Sequence, residues 1–190
     1  MRAALVLAGG EGRRLGGVDK AMVEVGGTTM LDRVLAASAP CCEELVVVGP
    51  ARSTAFDRVR FTIEADPGGG PVPAVAAGLA QLPEAEVVVV LAVDLPLVGP
   101  EHVDILLAGL DDGIIEAVAA VDHRGRPNPL LAAYRAGVLR ATVNGLDAGT
   151  AAARLLPDAT AVVDLGEAGT LNVNEASDLE RARRLTRPAP

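Results

Sequence analysis

The chain has 190 residues, half of them apolar and only three aromatic, and a formal net charge of −8. That length suits one domain, here expected over residues 1–187 with a frayed tail at 188–190, and its Ala, Val and Leu suffice for an aliphatic core. The acidic balance argues against nucleic acid or an anionic membrane as partner. No stretch has the length of a membrane span and no early segment resembles a signal peptide, so the expected place is the cytoplasm. Cys41 and Cys42 are adjacent, without C-x-x-C or metal-ligand spacing, and are expected to be reduced structural thiols.

The first element is the apolar run Leu5-Val6-Leu7-Ala8, the pattern of a parallel strand buried on both faces. It opens at Gly9-Gly10 into a loop that also carries Gly12, Gly16, Gly17, Arg13, Arg14 and Lys20. Glycines let backbone approach a ligand closely and aim successive N–H groups at it. Guanidinium and ammonium groups beside them neutralise phosphate oxygens. From Glu11 to Lys20 three basic residues face two acidic ones, a positive pocket on an acidic body. The pattern points to a nucleoside triphosphate. It is not a P-loop, because Gly17 is followed by Val18-Asp19 and Lys20 comes late. It is not a dinucleotide fingerprint either, because Gly10, Gly12 and Gly16 are spaced one residue too far and the second strand ends in Gly49-Pro50.

Met22 to Val25 is expected to be a short extended piece closed by Gly26-Gly27. Thr29 should cap a helix, with Asp32 in the capping-box position and a buried stripe of Leu31, Val34, Leu35 and Ser38. Strands are expected at Leu45 to Val48 and Val59 to Ile63. The Pro- and Gly-rich run Asp66 to Pro73 excludes regular structure, and a small-residue helix follows from Ala74 to Leu82. Glu86 to Val93, the most apolar strand, should be central and runs straight into Asp94-Leu95-Pro96. A helix starts at Pro100. Ile114 to Val121 is a further strand, then a turn at Asp122 to Pro127 and an antiparallel strand at Leu130 to Tyr134. Short helices are expected at Gly137 to Val143 and Ala148 to Leu156, and strands at Ala161 to Asp164 and Leu171 to Asn174, with Asn174 capping the last helix. Alternating strands and helices indicate a three-layer α/β/α, Rossmann-like fold on a mostly parallel sheet with one antiparallel strand. Ligands of such sheets lie beyond the carboxyl ends of the strands.

Leu7-Ala8-Gly9-Gly10, Arg14, Gly16-Gly17 and Asp19-Lys20 together resemble the signature loop of the MobA-like nucleotidyltransferases, most like the molybdenum cofactor guanylyltransferase branch. The resemblance implies a nucleotide-diphospho-sugar transferase type of fold and transfer of GMP from GTP to Mo-molybdopterin with Mg²⁺. Lys20, Arg14 and Asp94 would be catalytic. Leu7, Ala8, Gly9, Gly10, Gly12, Lys20, Asp66 and Asp94 would bind the nucleotide. From the residues alone, Asp94 is equally a turn cap before Pro96 or a hard-oxygen Mg²⁺ ligand; the resemblance favours the ligand. Asp19 is expected to position Lys20. Glu64 lies close enough to Asp66 that either carboxylate can correspond to the family's acidic residue.

Asn172 and Asn174 match the family's N-V-N. Two departures stand out: Gly49 where some members carry Asn, and Asn128 where His often precedes Pro, a position expected to face the acceptor. His102 and His123 resemble surface residues. Molybdoenzyme-maturation proteins are partners that the resemblance leaves open. The alternative functions are a cytidylyltransferase on the same pterin, a phospholactate or sugar-phosphate nucleotidylyltransferase, and a non-catalytic nucleotide-binding regulator.

Overall fold

Buried β-branched runs make the frame, because Val and Ile side chains pack well on a pleated surface while their backbone groups pair in the ladder. The computed structural model describes residues 1–9, 17–65, 68–111, 113–122 and 124–187. In chain order the first part contains β1 (Arg2–Leu7), β2 (Glu24–Val25), β3 (Thr28–Thr29), α1 (Met30–Ser38), β4 (Glu44–Val48) and β5 (Val59–Thr62). Next come α2 (Pro71–Ala80), β6 (Val87–Ala92), α3 (Pro100–Ala108), β7 (Ala117–Val121) and β8 (Pro127–Arg135). The chain continues with α4 (Ala136–Asn144), β9 (Thr160–Val163), α5 (Gly166–Thr170) and α6 (Ala176–Leu185). Seven strands form one sheet in the order β5-β4-β1-β6-β8-β7-β9. β8 runs antiparallel to both β6 and β7; every other pairing in this sheet is parallel. This is the expected layered fold, with β6 at its centre.

Alternation along the strands divides the core. Ala4, Val6, Val89 and Leu91 face α1 and α3, where Leu31, Leu35, Val103 and Leu106 are buried. Ala3, Leu5, Val88 and Val90 face α2 and α4, with Val75, Leu79 and Leu139. A third cluster of Val25, Met30, Leu171, Val173 and Ala182 fastens α6 and the segment before it to the β2–β3 hairpin. Gly26 and Gly27, at φ 63° and 78°, make the two-residue turn of that hairpin. Among the described residues no helix is long and apolar enough to cross a membrane. Burial pushes the Cys41 thiol up to about 11 and the Cys42 thiol up to about 12, so both are protonated at neutral pH.

Several local expectations change. Pro71 and Pro73 belong to α2, whose N-cap is Gly70; proline fits a first turn, where N–H groups lack helical partners anyway. Thr29 caps α1 by accepting from Asp32 N at 3.1 Å. The reciprocal half of a capping box is absent: the Asp32 carboxylate accepts instead from Thr54 Oγ1 and Ala55 N, tying down the loop after β4. The strand expected from Ile114 begins at Ala117, and Ile114 is 78% exposed. The helix expected over 148–156 is a single 3-10 turn, Ala152–Leu155, preceded by Gly149 at φ 81°.

Leu171 to Asn174 is not a strand. Its backbone serves the site: Val173 N donates to Asp94 O at 2.8 Å and Val173 O accepts from Lys20 Nζ. Nor does Asn174 cap α6. Glu175 holds the N-cap position, and Asp178 Oδ2 accepts from both Asn174 N and Glu175 N.

α2 approaches β1 through Gly78, where an added Cβ would run into the Leu5 side chain. Gly78→Val is expected to overpack this contact and destabilise the fold by about 1–3 kcal/mol, read as a lower urea midpoint at unchanged m-value. An unaltered midpoint would show that α2 does not seat this closely.

Candidate active site

β1 pairs with β4 on one side and β6 on the other, so the strand order reverses between β1 and β6, where crevices open in such sheets. Leu7 is in register with Ala92, and Val93 N donates to Leu7 O at 3.0 Å. Ala8-Gly9 and Val93-Asp94 therefore leave the sheet side by side. The same edge carries Gly49, Glu64 and Asn128, because β4 and β5 end there and antiparallel β8 begins there.

Lys20 opens the 3-10 turn Lys20–Met22, with Asp19 as its N-cap accepting from Ala21 N at 3.2 Å. The cap aims the lysine inward. Its Nζ donates to Asn174 Oδ1 at 2.9 Å, to Val173 O at 3.0 Å and to Asp94 Oδ2 at 3.5 Å. Asn174 Nδ2 in turn donates to Asn172 Oδ1 at 3.0 Å, which fixes the amide so that its oxygen faces the ammonium. All three donor positions of Nζ are thus engaged, and the Lys20 side chain is only 14% exposed. Asp94 Oδ1 is buried and has no hydrogen-bond partner among the described residues. Burial raises the Asp94 carboxyl above its ordinary range, and the Lys20 charge draws it part of the way back.

An orphaned carboxylate oxygen beside a lysine is an opening for a hard cation. Among the described residues no three His, Cys, Asp or Glu side chains gather into a metal cluster. Asp94 is the residue here that could hold a metal ion: Mg²⁺ commonly takes one or two carboxylates and completes its shell with water and phosphate oxygens.

The other expected site residues divide as follows. Leu7 lies at the end of β1, and Ala8 is buried with both backbone groups committed: its N–H donates to Val48 O at 2.8 Å and its carbonyl accepts from Arg52 Nη2 at 3.0 Å. Ala8 is a rigid root for the loop rather than an N–H donor to a ligand. Gly9 follows it, exposed, and a Cβ there would lie 3.7 Å from Glu64 Oε1, so Glu64 stands against the loop's first glycine. Asn128 Oδ1 accepts from Leu130 N at 2.9 Å. Gly10, Gly12, Arg14 and Asp66 lie outside the described residues, as does His123. His102 is a structural residue, its Nδ1 accepting from Gly99 N at the start of α3.

The particular role of Asn174, a residue expected to support the site, and the whole of Arg52 escaped sequence reasoning. Asn174 has a Lys20-holding role in place of the cap. Arg52 holds Asp19 and the Ala8 carbonyl together, and only its place just after a strand-end glycine could have drawn notice. The glycine itself has a steric cause: Gly49 sits at φ 150°, and a Cβ there would lie 2.9 Å from the Ala8 carbonyl carbon and oxygen.

The relatives of this chain make it a nucleotidyltransferase. The family of MobA-like NTP transferase domains matches residues 4–162, and the chain belongs to it. A molybdenum cofactor guanylyltransferase from Cereibacter sphaeroides is 33% identical over 190 residues, 96% of each chain. A probable molybdenum cofactor guanylyltransferase from Haloferax mediterranei is 33% identical over 149 residues, 74% of this chain and 70% of that protein. The crystal structure of molybdopterin-guanine dinucleotide biosynthesis protein A from Archaeoglobus fulgidus shares the fold, with a TM-score of 0.72 at 23% identity over 97% of this chain and 98% of that one.

Because the folded protein holds the Asp94 proton more tightly than the unfolded chain, this group's stabilising contribution is complete below the ordinary carboxylate pKa and is lost as pH rises through the raised one. Asp94→Asn removes that loss. In metal-free buffer, the stability of the variant relative to the parent is expected to grow as pH is raised from the ordinary carboxylate range towards neutrality. A difference independent of pH would show that the carboxylate is not taxed by burial.

Proposed function

We propose that the chain is a cytoplasmic enzyme, a single domain over residues 1–187, that transfers GMP from GTP to Mo-molybdopterin and releases pyrophosphate. An oxygen of the pterin's terminal phosphate attacks the α-phosphorus in line, and the bond from that phosphorus to the bridging oxygen of the leaving pyrophosphate breaks. The guanylyltransferases among the relatives support the choice of base and acceptor. The observation that carries the reading is Asp94 Oδ1, partnerless among the described residues and set at the strand-order reversal beside Lys20.

Asp94 would hold Mg²⁺ together with the nucleotide's own phosphate oxygens. When bound, Mg²⁺ supplies positive charge that offsets what develops on the leaving group. Lys20, held by Val173 O and Asn174 Oδ1, would exchange its long 3.5 Å contact with Asp94 for a phosphate oxygen and so bring its ammonium to where that charge builds. Arg14 would add a second cation from the loop. Gly9, Gly10 and Gly12 would let backbone close over the phosphates on the Leu7–Ala8 root, and Asp66 would help enclose the nucleotide. Asn172 and Asn174 support the site by orienting Lys20. Asn128 would face the acceptor. No general base is required, since the attacking group is an anion and nucleotidyl transfer depends chiefly on positioning and charge stabilisation.

With molybdopterin and Mg²⁺ present, pyrophosphate release is expected from GTP in preference to the other nucleotides. Asp94→Ala should abolish it while leaving the fold intact, and Lys20→Ala should lower turnover on the order of 10²-fold or more. Chelation of the metal should stop the parent enzyme. Consumption of CTP alone would replace the base assignment, and unchanged turnover in either variant would remove that residue from the chemistry.

A further inference from the structure

The Arg52 side chain is 9% exposed and spends itself on main chain and one carboxylate near the site. Its Nε donates to Asp19 Oδ2 at 2.7 Å, and its Nη2 to Asp19 Oδ1 at 3.0 Å, a two-pronged pairing. Nη2 also reaches Ala8 O at 3.0 Å, while Nη1 reaches Pro50 O at 3.0 Å. Ala8 and Asp19 flank the glycine loop. One guanidinium therefore joins the loop's entry to its exit. The Asp19 carboxylate that it grips is the one that caps the turn opening at Lys20.

Gly49 makes room for this arrangement. A Cβ at that position would come within 3.1 Å of Arg52 Nη1 as well as against Ala8. Four hydrogen bonds from so enclosed a side chain leave little of it for a ligand.

We propose that Arg52 is a positioning residue: it clamps the two ends of the glycine loop and, through the Asp19 cap, holds Lys20 at Asp94, so that it governs transfer by way of Lys20. Lysine at this position would keep the charge but not the fork that reaches two carboxylate oxygens and two carbonyls. The kinetic consequences rest on the transfer reading above; the clamp itself does not.

Two measurements on the full-length protein test it. In the first, hydrogen exchange is followed without nucleotide at the amides of Ala21, Met22 and Val23, which bond to Asp19 and Lys20. Arg52→Met should accelerate exchange there while β1 and β6 keep their protection. Should that variant lose protection throughout, Arg52→Lys decides by the same criterion. Unchanged exchange at these amides overturns the clamp, whatever the substrate proves to be.

In the second, Arg52→Met should lower kcat by roughly 10- to 10²-fold, the penalty of a displaced catalytic group, with a smaller change in KM for the nucleotide. In a Lys20→Ala background the same substitution should cost less than about twofold, because residues acting as one unit do not add. A loss of equal size in both backgrounds would mean that Arg52 acts independently of Lys20, and the proposal falls.

Discussion

The placement of one ammonium group organises this molecule. Lys20 Nζ gathers Asp94, Val173 and Asn174, which lie 74, 153 and 154 residues further along the chain. Three segments that share no strand are thereby brought to one point on the carboxyl edge of the sheet. Much of the architecture serves that meeting. The β1–β6 pairing sets the glycine loop beside Asp94, and Val173 N fastens the late segment to the Asp94 carbonyl. The small cluster of Val25, Met30, Leu171, Val173 and Ala182 keeps that segment from drifting.

The site carries a cost that the rest of the fold absorbs. A buried carboxylate with one oxygen unmatched is unfavourable, and the lysine at 3.5 Å relieves only part of the penalty, since burial still dominates the Asp94 shift. Aliphatic β1, β4 and β6, shielded on both faces, supply the apolar burial that offsets it. A ligand that brings its own cation and phosphate oxygens would complete the group that the protein leaves incomplete. Tolerance of such an unfinished polar group is what distinguishes a site from a core.

How much of this was legible in the sequence follows from what each feature depends on. Strand identity and sheet centrality came through because long apolar runs have one stable destination. Asp94 was visible as the polar residue that ends the most apolar strand, and Lys20 as the end of a dense Gly and Arg loop. Two of the expectations that failed were local capping rules overruled by other partners. Thr29 and Asp32 have capping-box spacing, yet Thr54 and Ala55 claim the aspartate. Asn174 is a good helix cap by composition, but Asp178 takes the backbone donors and leaves the amide for Lys20. Arg52 had no signal of its own, because its role exists only once Ala8 and Asp19 are folded onto it.

The most direct measurement is a crystal structure with Mn²⁺ in place of Mg²⁺ and a non-hydrolysable GTP analogue, in which the metal is located by its anomalous signal. The expected result is a metal bonded to Asp94 Oδ1 at about 2.1 Å, shared with nucleotide phosphate oxygens, with Lys20 within hydrogen-bonding reach of the same phosphates. A nucleotide bound away from the Ala8–Gly9 root, or a metal that leaves Asp94 Oδ1 without a partner, would contradict the account.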